Sequence, residues 1–154
     1  MTITIRKANE NDFPVILTLI KELAEYERDL EKVTNSVALM REEQKHFNCY
    51  VAESENNEII GMAIYFFAYY TWVGKSLYLE DIYVKENYRR FRIGTLLLRK
   101  VFEVAREENC KRVRWQVLDW NTSAIEFYKK CGAEINNNWL NCTFDQKGIQ
   151  EFNL

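Results

Sequence analysis

The chain places two carboxylates inside a strand and several arginines in the turn that follows it. Glu80 and Asp81 lie within an apolar strand pattern that ends at Val84, where acidic residues are usually disfavoured. The turn leads into a helix that begins near Ile93, and the start of a helix attracts anions through its unpaired N–H groups and its dipole. This stretch therefore predicts an anion-binding site beside acidic groups.

Three arginines, Arg89, Arg90 and Arg92, crowd the same turn. A ligand bound there should carry several negative charges, because guanidinium groups pair well with phosphates and carboxylates. The phosphate loop of nucleoside triphosphatases, G-x-x-x-x-G-K-[S/T], is absent, which excludes that class. The competing interpretation of Glu80 and Asp81 is a salt bridge at the end of a strand.

Length and composition predict one globular domain that covers residues 1–154. Hydrophobic residues make up 47% of the chain, which is enough for a packed core. The net charge of −2 argues against a nucleic-acid partner, because such proteins usually have a strongly basic face. The sequence contains neither a signal peptide nor an apolar run of transmembrane length, so we expect a cytoplasmic protein without a membrane partner.

The four cysteines, Cys49, Cys110, Cys131 and Cys142, lie far apart in the sequence. They form no C-x-x-C pair, which excludes zinc sites and redox sites of the thioredoxin type. We therefore predict no metal and interpret the cysteines as reduced thiols. The single histidine, His46, precedes a strand and is interpreted as structural or exposed.

Hydrophobic periodicity predicts an alternation of strands and helices in the order β-α-α-β-β-β-α-β-α-β. The strands are expected at 3–7, 47–53, 58–70, 77–84, 111–117 and 139–144, and the helices at 13–26, 36–45, from 93, and from 121 to Gly132. Helix-start chemistry at Asn9 and Asn121 and a C-terminal glycine at Gly132 support these boundaries. This order predicts an α+β fold around a central mixed sheet.

Two segments resemble the GNAT N-acetyltransferases. The first, Arg89 to Gly94, is similar to the R/Q-x-x-G-x-G/A acetyl-CoA loop of that superfamily. The second, Asn121 to Ala133, is similar to its N-x-x-A-x-x-F-Y-x-x-x-G-F/A segment. One residue departs from the pattern, because Arg92 stands where the loop usually has its first glycine. Its backbone amide can still donate, although a glycine lets phosphates approach more closely.

Shorter motifs narrow the resemblance to the diamine (spermidine/spermine) acetyltransferases. They are YLED at 78–81, the pair Tyr26-Glu27 after a leucine-rich helix, and VLDWN at 117–121. Within that family, Tyr70-Thr71-Trp72 and LDWN resemble the thialysine N-epsilon-acetyltransferase branch. The resemblance implies the GNAT fold, an α+β architecture whose central mixed, mostly antiparallel sheet is flanked by helices. It also implies acetyl-CoA as the co-substrate, a small cationic amine as the acceptor, and a homodimer.

The resemblance also assigns residues to acetyl-CoA. They are the end of one strand, the basic loop and the starts of two helices: Ile82, Tyr83, Val84, Arg89, Arg90, Phe91, Arg92, Ile93, Gly94, Thr95, Asn121 and Ala124. A backbone N–H in the Ile82–Val84 segment would stabilise the oxyanion. Tyr128 would protonate the departing thiolate, since a phenol of pKa ~10 is close to a thiol of pKa ~8.5. The alternative for Tyr128 is an ordinary aromatic residue on a helix face.

On the acceptor side, the resemblance implies a substrate site formed by Tyr26, Glu27, Trp72 and Glu80. An alkylamine of pKa ~10.4 is almost fully protonated at neutral pH, so the site needs a proton acceptor. Glu80 is the predicted acceptor, and strand alternation is expected to place Asp81 on the opposite face. The alternative for Tyr26 and Glu27 is the end of a helix with an acidic residue on the surface. The alternative for the aromatic residues near Trp72 is packing in the core.

The predicted function is an acetyl-CoA-dependent N-acetyltransferase for a primary amine of a diamine, a polyamine or thialysine. Tyr70-Thr71 stands where the spermidine branch is expected to have an Asp–Pro pair, and this favours thialysine or short diamines over long polyamines. Two alternatives remain open. One is acetylation of protein lysines or N-termini, and the other is a non-catalytic acyl-CoA-binding module.

Overall fold

The structure is a computed structural model and describes residues 2–153. The chain divides into two compact units, the first ending at Gln116 and the second beginning at Val117. The first unit contains β1 (Ile3–Lys7), α1 (Phe13–Tyr26), α2 (Val37–Glu42), β2 (Asn48–Ser54), β3 (Ile59–Tyr70), β4 (Gly74–Val84), α3 (Ile93–Glu107) and β5 (Val113–Arg114). The second contains α4 (Thr122–Lys130) and α5 (Gln146–Glu151). Within 2–153, every helix is too short or too polar to span a bilayer.

The first unit is built on one sheet with the strand order β1-β2-β3-β4-β5. Strands β1 to β4 pair antiparallel, and β5 pairs parallel with β4. This arrangement confirms the α+β class and the mixed, mostly antiparallel sheet. The pairing between β4 and β5 is restricted to Leu77 with Val113 and Tyr78 with Arg114. No strand of the described chain therefore pairs with the β5-facing side of β4 beyond Tyr78.

Helices cover both faces of this sheet. On one face, Ile16 and Leu19 of α1 are buried in a cluster that includes Met62 and Ile64 of β3. The opposite face is covered by α3, whose Leu97 would be 3.3 Å from a Cβ added at Gly61. Because side chains alternate along a strand, Gly61 and Met62 define these two faces. The side chains of the central strands are thus packed between α1 and α3.

Local capping signals are confirmed where the sequence predicts them. Asn9 and Asp12 form a reciprocal capping box before α1. The Asn121 side chain accepts a hydrogen bond from the backbone N–H of Ala124 at 3.3 Å and caps α4. Gly132 follows α4 with φ +89°, a conformation that glycine adopts without steric cost. These signals depend only on neighbouring residues, which is why sequence alone identifies them.

The predicted last strand at 139–144 is wrong. The structure assigns no strand there, and the side chains of Trp139 and Leu140 are 74% and 91% exposed. The helix α5 follows instead, capped by Asp145, whose carboxylate accepts from the N–H of Gly148 at 2.7 Å. The strand expected at 111–117 is also shorter, because only Val113 and Arg114 are assigned to it. Apolar alternation predicts a strand only where a neighbouring strand is available to pair with it.

Candidate active site

A β-bulge interrupts β4 at Glu80. Across the β3–β4 pairing, Asp81 lies opposite Ile64, whereas Leu79 lies opposite Tyr65, so Glu80 is an extra residue without a partner in β3. Leu79 and Asp81 therefore lie on opposite faces of the sheet although they are two residues apart. The strict alternation assumed for this strand is wrong at this point. Asp81 shares the α1 face with Ile64, while Glu80 is exposed.

Asp81 is a partly buried carboxyl group among other acids. Burial, followed by the charges of Glu80 and Glu27, raises the pKa of Asp81 to about 7. Burial also raises the pKa of Glu27, with a further contribution from Asp29. The structure thus brings Glu27 at the end of α1 close to the bulged part of β4. Within residues 2–153, no group of three or more His, Cys, Asp or Glu residues is arranged to hold a metal ion.

The helix α3 begins at a residue with an unusual backbone conformation. Arg92 precedes the helix with φ 58° and ψ 21°, which is the left-handed region that glycine favours. Its carbonyl accepts the N–H of Leu96 at 3.1 Å. The N–H groups in the first turn of a helix have no partner within the helix, and those of Ile93, Gly94 and Thr95 belong to this turn. Arg92 therefore keeps a glycine-like loop geometry that leaves donors for an anion.

Space is available above this helix start. A Cβ added at Gly94 would meet only Val84 Cγ2, at 4.0 Å. Val84 ends β4, so the acid-bearing strand runs directly to the anion-binding turn. The separation along β4 from Asp81 to Val84 is about 10 Å, at about 3.3 Å per residue. The remaining residues predicted for the cofactor in this unit lie at the end of β4, in the turn or at the start of α3: Ile82, Tyr83, Arg90, Phe91, Ile93 and Thr95.

Arg89 is held by contacts within the first unit. Its Nε donates to the carbonyl of Val84 at 3.2 Å. Its guanidinium lies over the rings of Tyr26, at 5.2 Å, and Tyr83, at 5.6 Å. All three side chains line an open cleft of about 630 Å³. Tyr26, predicted for the acceptor side, thus lies beside the basic loop, while Arg90 and Arg92 are exposed.

Trp72 is not close-packed against other rings. It lies in the turn between β3 and β4 and is 86% exposed. Within the described chain, its ring makes no aromatic or cation–π contact. Its predicted role in substrate binding therefore stays a prediction without a contact to support it.

The second unit contains the other predicted site residues. Asn121 and Ala124 form the capped first turn of α4, as described above. Tyr128 lies one turn further along α4, is 8% exposed, and has its ring centroid 5.5 Å from that of Phe127. Its predicted role as an acid stays a prediction.

Three further residues stand out in the structure. Tyr70, at the end of β3, has two guanidinium groups over its ring, those of Arg112 at 5.2 Å and Arg114 at 5.0 Å. Neither arginine is among the site residues predicted from the sequence. The short spacing of Arg112 and Arg114 around Val113 was the available signal, because alternation places them on one face of a strand.

Comparisons with known proteins place the chain in a family. The sequence model of the Acetyltransferase (GNAT) family matches residues 13–133. The chain belongs to this family, and it is an N-acetyltransferase. Two curated relatives carry the same description, thialysine N-epsilon-acetyltransferase. The one from mouse (Mus musculus) is 38% identical, covering 96% of this chain and 95% of the relative. The one from cattle (Bos taurus) is 43% identical, covering 86% of this chain and 84% of the relative.

The fold is also shared with solved structures. One is described as a possible acetyltransferase from Clostridium difficile 630. Its TM-score is 0.77 at 21% identity, and the match covers 95% of this chain and all of that one, 100%. The GNAT resemblance stated on the two sequence segments is therefore confirmed. GNAT acetyltransferases use acetyl-CoA as a co-substrate.

Proposed function

We propose that this protein transfers the acetyl group of acetyl-CoA to the primary amine of a small cationic acceptor such as thialysine or a short diamine. The observation that carries the proposal is the group of acids around the β4 bulge, where Asp81 is partly buried beside Glu80 and Glu27. A carboxylate whose pKa lies near neutrality suits both the attraction of an ammonium group and the acceptance of its proton. The names of the relatives support the choice of thialysine.

We assign acetyl-CoA to the start of α3. The unpaired N–H groups there, the open space above Gly94 and the exposed side chains of Arg90 and Arg92 all suit a polyphosphate. Arg89 is already held by Val84 and two tyrosine rings, so we infer that it fixes the shape of the loop. The donor site and the acceptor acids are connected by β4, which supports transfer between the two.

The acceptor amine must lose a proton before it attacks. Glu80 is exposed and unpaired in the sheet, so we assign it to the entering ammonium and to proton acceptance. We add Asp81 as a second proton acceptor, because its pKa of about 7 lies nearer to that of an alkylamine than the pKa of an exposed carboxyl group does. Glu27 contributes negative charge that favours a cationic substrate. Tyr26 and Trp72 complete the predicted acceptor site.

The remaining steps need a hydrogen-bond donor that stabilises the oxyanion and an acid that protonates the leaving group. We assign the first to a backbone N–H between Ile82 and Val84, where no described strand pairs with the β5-facing side of β4. We assign the second to the phenol of Tyr128, which protonates the departing thiolate.

The test is an acetyl-CoA assay with purified protein across thialysine, lysine, putrescine, spermidine, spermine and a lysine-containing peptide. We expect turnover with thialysine or putrescine at a higher kcat/KM than with spermine. We also expect Glu80→Gln to lower kcat/KM for every free amine. A preference for the peptide would favour protein acetylation. Acetyl-CoA binding without turnover of any acceptor would favour a non-catalytic module.

We further infer a homodimer and a cytoplasmic location. The homodimer follows from the resemblance to the diamine acetyltransferases, and the cytoplasmic location is the expectation drawn from the sequence. Light scattering coupled to size-exclusion chromatography tests the first, with a mass of twice the chain's 18.5 kDa expected. A monomer at assay concentrations would contradict it. Fractionation of cells tests the second.

A further inference from the structure

Two arginines hold one tyrosine ring at the edge of the sheet. The Cζ atoms of Arg112 and Arg114 lie 5.2 and 5.0 Å from the centroid of the Tyr70 ring. Within residues 2–153, neither guanidinium has a carboxylate partner at salt-bridge distance. The planar forks of two such arginines suit a bidentate contact with a carboxylate. Both guanidinium groups thus contact the same Tyr70 ring.

The arginine pair lies on the same sheet as the acceptor acids. Arg114 is opposite Tyr78 in the β4–β5 pairing, and Tyr78 stacks on Phe66 with ring centroids 5.1 Å apart. Phe66 and Ile64 are two residues apart on β3, so they lie on one face. Asp81 is opposite Ile64, and the bulge therefore places Tyr78 and Asp81 on that same face. Without the bulge, Tyr78 and Asp81 would point to opposite sides.

Tyr78 lies between the positive and the negative groups. Burial and then the charge of Glu80 raise the pKa of the Tyr78 phenol, whereas Arg114 lowers it. The phenol is thus within electrostatic range of both charges. Because Glu80 is an extra residue, Tyr78 and Asp81 are separated by the two-residue step from Phe66 to Ile64, which is about 7 Å at about 3.3 Å per residue. An extended amino acid of the size of lysine has its terminal amine and its carboxylate at opposite ends, and hydrogen bonds at each end extend its reach.

We propose that Arg112 and Arg114 bind the α-carboxylate of an amino-acid acceptor while its terminal amine lies at the β4 bulge. This inference rests on the proposed amine acetyltransferase function and specifies its substrate class. The acceptors are α-amino acids with a second, terminal amine, such as thialysine, lysine and ornithine. Diamines and polyamines lack the carboxylate and leave the two guanidinium groups without a partner in the complex. They are therefore the poorer substrates.

The test compares thialysine with bis(2-aminoethyl) sulfide, which is thialysine without its carboxylate. We measure kcat and KM for both amines with the wild type, Arg112→Gln, Arg114→Gln and the double variant. Each single variant should raise the KM for thialysine by about tenfold and leave the KM for the sulfide unchanged, because only thialysine loses a charged hydrogen bond. The exposed Arg99 on α3 provides the control, and Arg99→Gln should leave both KM values unchanged.

A structural role of the arginines predicts a different result. In that case both substrates would be affected equally, and this outcome overturns the proposal. An unchanged KM for thialysine in the double variant overturns it as well. If the double variant fails to fold, Arg114→Lys decides, because it keeps the charge and loses the fork. A thialysine KM between those of the wild type and Arg114→Gln supports the proposal, and a KM equal to the wild-type value contradicts it.

The same assays distinguish a failure of the proposed function from a failure of the arginine assignment. A wild type that acetylates neither amine overturns the proposed amine acetyltransferase and this inference together. A wild type that uses the sulfide as well as it uses thialysine overturns only the assignment of Arg112 and Arg114.

Discussion

The carboxyl groups of Glu27 and Asp81 repel each other between the end of α1 and the bulged part of β4, and this repulsion contributes to the raised pKa of Asp81. If Asp81 accepts the proton of the acceptor amine, kcat/KM should rise with pH through about 7. Glu27→Gln removes one of the negative charges, so the pKa of Asp81 should fall and the profile should move to lower pH. The measurement is the pH dependence of kcat/KM.

The control for this prediction is Glu31→Gln, since Glu31 is exposed and does not contribute to the pKa of Asp81. Its profile should match that of the wild type. If the midpoint of the Glu27→Gln profile is unchanged, the assignment of Asp81 as the proton acceptor is contradicted.

The same carboxyl group should make stability depend on pH. The ordinary pKa of Asp81 is 3.8 and its folded value is about 7, so the folded state binds the proton more tightly. The free energy of unfolding should therefore fall as pH rises from about 4 to 7, by an amount on the order of 3 kcal/mol. Asp81→Asn cannot ionise and should lack this fall. Urea unfolding of both proteins at pH 5 and pH 8 measures it, and an equal loss in both would contradict the assignment.

The bulge that places Asp81 could not be predicted from the sequence. The bulge is a shift in the β3–β4 register between Ile64 and Tyr65, so it depends on the pairing of two strands. Sequence periodicity describes each strand by itself and predicts alternation for Glu80 and Asp81. The helix caps at Asn9 and Asn121 are predictable because each involves only residues within one turn.

Family resemblance predicted the loop residues, and the structure adds the backbone conformation of Arg92. Its left-handed backbone, with φ 58°, is the conformation that a glycine would supply. The arginine pair around Tyr70 was missed for a different reason. Tyr70 ends β3, whereas Arg112 and Arg114 lie just before and within the short strand β5, far away in the sequence. The wrong strand at 139–144 shows the same limit, since exposed apolar residues such as Leu140 resemble a strand without having a partner strand.

The left-handed conformation of Arg92 predicts a stability gain on substitution. Arg92→Gly should raise the free energy of unfolding by about 1 kcal/mol, because glycine has no Cβ to oppose a positive φ. Acetyl-CoA affinity should stay similar or weaken modestly, since the amide is kept. Urea unfolding and calorimetric titration measure the two effects.

Arg90→Gly is the matched control for that substitution. Arg90 is not among the residues of positive φ, so glycine there should cost about 0.5–1 kcal/mol through lost backbone entropy. Equal destabilisation by both substitutions would contradict the strain at Arg92. A gain in acetyl-CoA affinity of more than ~10-fold in Arg92→Gly would show that the arginine obstructs the site and would favour the non-catalytic alternative.

Two glycines of the first unit should respond oppositely to alanine. Gly94→Ala adds a Cβ that meets only Val84 at 4.0 Å, so stability should be unchanged or slightly higher. Acetyl-CoA should nevertheless bind more weakly, because the Cβ enters the space above the α3 donors. Gly61→Ala adds a Cβ 2.9 Å from the backbone oxygen of Tyr83 and should destabilise the sheet by about 1–3 kcal/mol. Thermal unfolding and acetyl-CoA titration distinguish them, and unchanged acetyl-CoA affinity in Gly94→Ala would remove this helix start from the site.

Tyr128 provides the test of the acid that completes the transfer. Tyr128→Phe removes the hydroxyl and keeps the ring that packs beside Phe127, so stability should change by no more than about 1 kcal/mol. If the phenol protonates the departing thiolate, kcat should fall by ~10²-fold or more, in the range of a lost general acid. Acetyl-CoA affinity should survive, since the predicted contacts of the α3 turn are untouched. Phe127→Leu is the control for ring packing, because it perturbs the neighbour and leaves the phenol in place. A Tyr128→Phe protein that turns over at the wild-type rate would remove Tyr128 from the mechanism, whatever its effect on stability.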